Sequence, residues 1–146
     1  MLLIIMLATA CNQRAEEHVS TDIVNNPQTA SGEVDMSELP VMEFEEEVFN
    51  FGEITQGEKV NHSYKFKNTG KTDLVITSAR GSCGCTVPTW PKKPIAVGEE
   101  GIIEVVFNSE GKKGQQNKKV TIVANTQPST NVVAIKGIVI APEKEK

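Results

Sequence analysis

The chain has 146 residues, of which 38% are apolar and 23% charged, and its net charge is −4. That length allows one ordinary domain with extra segments. The composition permits a buried core, is too polar for a multi-span membrane protein, and argues against nucleic acid as a partner, which requires a basic face.

The opening stretch MLLIIMLATAC runs for ten uncharged residues up to Cys11. It is too short to cross a bilayer, which takes about 20 residues. It has the length of the apolar centre of a secretory signal, and Ala8-Thr9-Ala10 forms a small-residue cleavage site. With a cysteine directly after that site, residues 1–10 resemble a bacterial lipoprotein signal. The resemblance implies cleavage before Cys11, lipid attachment at Cys11 and anchoring in the membrane; an ordinary secretory signal is the alternative. Residues 11–41 are rich in Asn, Gln, Ser, Thr, Glu and Asp and lack apolar periodicity, so they cannot bury enough surface to offset the entropy of ordering. They read as a flexible tether with a mean span of about 30 Å.

From Met42 the pattern changes. MEFEEEVFNFGEI (42–54) reads as an outer strand whose glutamates discourage edge-to-edge pairing. VNHSYKFKN (60–68) alternates Val60, His62, Tyr64 and Phe66 against Asn61, Ser63, Lys65 and Lys67, the period of a half-buried strand. LVITS (74–78) is a β-branched run. Trp90 follows in a proline-rich connection and is expected to plug one end of the fold. IIEVVFN (102–108) places Ile103, Val105 and Phe107 on one side, and KKVTIVAN (118–125) does the same with Val120, Ile122 and Ala124. VVAIKGIVI (132–140) carries Gly137 where a bulge or bend would fit. Turn signals separate the runs: NTGK, VGEEG, SEGKKGQ and NTQPSTN. The lysine pairs 92–93, 112–113 and 118–119 read as solvated turn and edge charges. About seven short strands in about 100 residues predict an all-β, two-sheet sandwich over 42–141, followed by a short tail at 142–146.

Within this domain Phe51-Gly52, Gly57-Glu58, Asn68-Thr69-Gly70, Cys83-Gly84-Cys85-Thr86, Gly98-Glu99, Asn125 and Lys136-Gly137 occur in an order and spacing that resemble the bacterial family catalogued as domain of unknown function 1573. The resemblance covers essentially residues 42–140. It implies an immunoglobulin-like sandwich and a bacterial envelope protein, commonly a lipoprotein. It supplies no activity.

Cys83 and Cys85 carry the most chemistry. In an extended strand their Cα atoms would stand about 6.6 Å apart with parallel side chains, so a disulfide needs a tight turn, which Gly84 permits. By loop entropy such a bond stabilises the fold by only about 1.6 kcal/mol, against about 4.7 for a 100-residue loop. It would be readily reduced, a redox device or an envelope by-product, and no staple. As two thiolates the pair suits Cu(I), with Met42 or a second chain completing the site. Zinc wants four ligands, and the domain adds only His62, which falls on the inward face of its strand. The third reading is structural: two small, partly buried residues shaping a turn.

No catalytic triad, paired carboxylates or phosphate loop is apparent, so no enzymatic activity and no cofactor are expected. The function expected is a non-enzymatic, lipid-anchored envelope protein, on the outer membrane or facing the periplasm. Its domain would bind or scaffold a protein or cell-wall partner, for instance by strand addition. The alternative is a periplasmic thiol protein using Cys83 and Cys85 for copper binding or disulfide exchange.

Overall fold

The structure, a computed structural model, describes residues 36–142. The expected signal, Cys11 and most of the expected tether lie outside the described residues. A turn of 3-10 helix at Met36–Glu38 precedes eight strands: β1 (Met42–Phe44), β2 (Val48–Thr55), β3 (Lys59–Asn68), β4 (Ile76–Gly81), β5 (Thr86–Thr89), β6 (Glu100–Asn108), β7 (Gly114–Ala124) and β8 (Thr130–Ile140). They form two four-stranded sheets, ordered β1-β3-β6-β5 and β2-β8-β7-β4. All pairings are antiparallel except β2 with β8.

The dyad patterning builds the core. Tyr64, Ile103, Val105, Phe107, Val120, Ile122, Val133 and Ile135 are all 0% exposed. They are the inward-facing residues of β3, β6, β7 and β8, interleaved between the sheets as in an aligned sandwich. Trp90 packs partly buried against this core, with Lys92 Nζ 3.0 Å above its ring.

Two expectations need correction. The segment 42–54 is two strands, one in each sheet, and the total is eight strands. The reason lies in the backbone hydrogen bonds of two glutamates, Glu45 and Glu47. Glu45 N donates to the Lys65 carbonyl in the first sheet (3.0 Å), whereas the Glu47 carbonyl accepts from Ala134 N in the second (2.7 Å). The chain therefore changes sheets within two residues. Gly137, in turn, sits in unbroken register opposite Gln116, and the irregularity falls on the neighbouring strand, between Asn50 and Glu53 of β2. A Cβ on Gly137 would lie 2.2 Å from Phe51 Cε2. Gly137 is there so that the Phe51 ring can lie on the backbone of β8.

Most of the remaining signature residues tie turns. Asn68, 0% exposed, donates from Nδ2 to the carbonyls of Thr72 (2.8 Å) and Ile95 (3.0 Å), and its Oδ1 accepts from Gly70 N (3.1 Å). Glu58 Oε2 accepts from Thr55 N, Glu99 Oε2 from Ala96 N, and Asn125 Oδ1 from Val75 N. Residues 39–41, assigned to the tether by composition, lie against this network. The Leu39 carbonyl accepts from Lys71 N and the Val41 carbonyl from Thr69 N. Pro40 is buried.

Candidate functional site

Cys83 and Cys85 are joined in a disulfide, with Cα atoms 5.2 Å apart, in the connection between β4 and β5. The turn that the geometry demanded is present: Thr86 N donates to the Cys83 carbonyl (3.1 Å). The flanking backbone is held by both sheets. Ser82 N donates to the Lys119 carbonyl on β7 (2.8 Å), and Asn108 N at the end of β6 donates to the Cys85 carbonyl (2.9 Å). Ser82 Oγ also accepts from Lys119 N (3.2 Å). Gly84 projects into solvent, where an added Cβ would meet nothing within 4 Å. Cys85 rests on the apolar cluster around Phe107, Ile135 and Val139. The buried Thr86 places Oγ1 3.7 Å from Cys83 Sγ and 3.9 Å from Cys85 Sγ.

The other candidate ligands are placed elsewhere. Met42 pairs with Asn68 at one end of β3, whereas Cys85 is tied to Asn108, which pairs with Lys59 at the other end. Nine residues of strand separate the two ends, roughly 30 Å. Met42 therefore cannot complete a copper site within one chain, which corrects that expectation. His62 lies on the inward face, as its strand pattern predicts. Its ring stacks on Phe49 at 3.7 Å and meets Tyr64 edge-on, and its Nε2 stands 2.8 Å from Glu46 Oε1 but out of hydrogen-bond alignment. Among the described residues no group of three or more His, Cys, Asp or Glu could hold a metal ion. In the disulfide form neither sulfur is a thiolate, the species that binds Cu(I).

A second feature was not singled out from sequence. Along β2, β8 and β7 lies an open groove of about 550 Å³, lined by Asn50, Gly52, Glu53, Gln115, Gln116, Asn117, Lys136, Gly137 and Ile138. Its origin is the bulge in β2. Asn50 pairs with Lys136 and Glu53 with Ile138, so β2 carries one extra residue. Phe51 turns inward, stacking on Phe107 at 5.6 Å, and Gly52 follows at φ 73°, a conformation that glycine tolerates, with its N–H donating to Asn50 Oδ1 (3.0 Å). The Phe51-Gly52 and Lys136-Gly137 pairs are thus halves of one device. The bulge lifts β2 and leaves amide and charged side chains around a concavity. The available signal was two glycine-containing pairs in distant strands, and only the tertiary contact joins them.

A two-sheet sandwich whose first segment pairs with both sheets, the second time in parallel with the last strand, defines an immunoglobulin-like β-sandwich module. The chain belongs to the family described as protein of unknown function, DUF1573, which matches residues 42–139. No curated protein matches it. Among solved structures it is similar to a protein of unknown function from Porphyromonas gingivalis W83, at 16% identity and a TM-score of 0.61 over 70% of this chain. The chain spans about half of that protein, 48%. It is also similar to the ASH/PapD-like domain of human CEP192, at 11% identity and a TM-score of 0.54, covering 97% of this chain and 100% of that one. A further similarity is to the Vibrio cholerae VesB protease, at 17% identity and a TM-score of 0.52 over 69% of this chain and 31% of that one. At these identities the likeness is one of fold alone.

Proposed function

We propose that the chain is a non-enzymatic, lipid-anchored protein of the bacterial envelope, attached through Cys11, whose immunoglobulin-like domain binds an envelope protein or the cell-wall polymer. The observation that carries this reading is the groove at the β2 bulge. Asn50, Gln115 and Asn117 offer both amide donors and carbonyl acceptors, and Glu53 and Lys136 add one charge of each sign. Such a lining recognises a ligand rich in amide and hydroxyl groups. β2 is also an edge strand of its sheet, so an extended peptide can add beside the same groove. The anchor and tether would hold the domain within reach of both kinds of partner.

The test is capture by the immobilised domain of purified cell-wall sacculi in one arm and of solubilised envelope proteins in the other. Gln115→Ala combined with Lys136→Ala should abolish capture, whereas Cys83→Ser with Cys85→Ser should preserve it. Capture that survives the groove variant, or that is lost in the cysteine variant, contradicts the reading.

A further inference from the structure

The turn in the Cys83-Gly84-Cys85-Thr86 stretch does not by itself account for the joined sulfurs and the hydroxyl beside them. We propose that Cys83 and Cys85 are a reversible dithiol–disulfide couple that exchanges electrons with an external dithiol, and that Thr86 is a positioning residue donating its hydroxyl proton to whichever sulfur bears the charge.

Three features of the geometry carry this. First, the ring is open on one side: Gly84 faces solvent with no atom near an added Cβ, and both cysteines are partly exposed. Second, the loop does not depend on the sulfur bridge for its shape. Its backbone is held by hydrogen bonds to Lys119 on β7 and to Asn108 at the end of β6, and by the Thr86-to-Cys83 turn. Opening the bond leaves the two thiols side by side, which favours closing it again. Third, Thr86 is only 3% exposed, and its hydroxyl lies within 4 Å of both sulfurs. A buried hydroxyl at that position stabilises a thiolate on either one.

The environment also orders the steps. Cys85 is backed by the Phe107 cluster, so an incoming thiolate has its path to Cys83 Sγ. The thiolate attacks Cys83 Sγ, forming a mixed disulfide; the Cys83–Cys85 bond breaks and its electron pair leaves on Cys85 Sγ. The second thiolate of the donor then attacks the donor's own sulfur in that mixed disulfide, releasing Cys83 as a thiolate and the donor as a closed disulfide. Two electrons pass from the dithiol to the protein, and the two protons lost by the donor are taken up by Cys83 and Cys85. This site is separate from the groove, and its failure leaves the binding reading untouched.

The test uses the full chain, with dithiothreitol as the small dithiol and a reduced Cys-X-X-Cys oxidoreductase as the protein dithiol. Reduction by either in native buffer, reversal by an oxidised donor, and a thermal midpoint lowered by no more than about 10 °C support the proposal; a faster reaction with the protein donor assigns a protein partner, a faster one with the small dithiol a thiol pool. Limited reaction with glutathione followed by rapid alkylation should map the mixed disulfide to Cys83 and the alkyl group to Cys85. Thr86→Val should lower the thiolate absorbance of the reduced protein at neutral pH and slow alkylation severalfold, and Thr86→Ser should restore both. A bond that opens only in denaturant, a mixed disulfide on Cys85, or a Thr86→Val protein with unchanged thiolate absorbance overturns it.

Discussion

Tyr64 Oη, on β3, donates a 2.7 Å hydrogen bond across the core to the carbonyl of Ala134 on β8. The side chain is 0% exposed, and burial pushes the phenol up to about 12. The same carbonyl-bearing residue donates its own N–H to Glu47, where the chain has just changed sheets. One tyrosine therefore joins the two sheets at the crossing point.

Replacing Tyr64 by Phe leaves the partly buried Ala134 carbonyl without its side-chain partner and should cost about 1 kcal/mol in urea unfolding. A pH dependence should disappear with it. Because the folded phenol titrates above the unfolded value of about 10, the neutral ring stabilises the fold fully below pH ~10, and that contribution is lost as pH rises towards about 12. The unfolding free energy of the parent should fall across that window more steeply than that of Tyr64→Phe. Parallel curves would show that Tyr64 does not carry the effect.

Gly137→Ala places a methyl group against the Phe51 ring, which is itself backed by Phe107. Overpacking of this kind should cost about 1–3 kcal/mol. Adding Phe51→Leu should recover part of that loss, because the two sites share one contact. Additive losses in a double-mutant cycle would mean that the ring-on-glycine contact does not set the bulge.

The strand faces around this contact were legible in the sequence, and the contact was not. Alternation placed Tyr64, Phe66, Ile103, Val105, Phe107, Val120 and Ile122 inward, because period two is a local property of a half-buried strand. The sheet change at Glu45–Glu47 was invisible. Three glutamates look alike whether they extend one strand or join two, and the deciding hydrogen bonds come from Lys65 and Ala134. By sequence Gly137 suits a bulge or bend, because glycine marks both a bulge and a close approach, and only the position of Phe51 separates them. For the cysteines, strand geometry requires a turn at Gly84 before any disulfide, and that turn is present; the hydroxyl of Thr86 beside both sulfurs is a tertiary fact.

Asn68 ties the end of β3 to the turns on either side of it. Asn68→Ala should cost about 1–3 kcal/mol, since the Thr72 carbonyl and the Gly70 amide lose their partner together, while the Ile95 carbonyl keeps its hydrogen bond from Leu74 N. Amide hydrogen exchange should accelerate first at Thr69 and Lys71, whose N–H groups bind the carbonyls of Val41 and Leu39. Uniform acceleration across both sheets would place the effect in global stability alone.

Removing the disulfide should do little to the fold. For a ring of three residues the entropic stabilisation is about 1.6 kcal/mol. Cys83→Ser with Cys85→Ser should therefore unfold cooperatively with a loss no larger than that. A loss several times greater would make the bond a staple.

The most direct test of the account is chemical-shift mapping of the isotopically labelled domain during titration with solubilised sacculus fragments and, separately, with the envelope protein fraction. The account predicts that one of the two shifts the amide side chains of Asn50, Gln115 and Asn117 and the backbone of Glu53 and Lys136, leaving β5 and the Cys83–Cys85 loop unmoved. Shifts confined to β5 or that loop, or none with either partner, would contradict it.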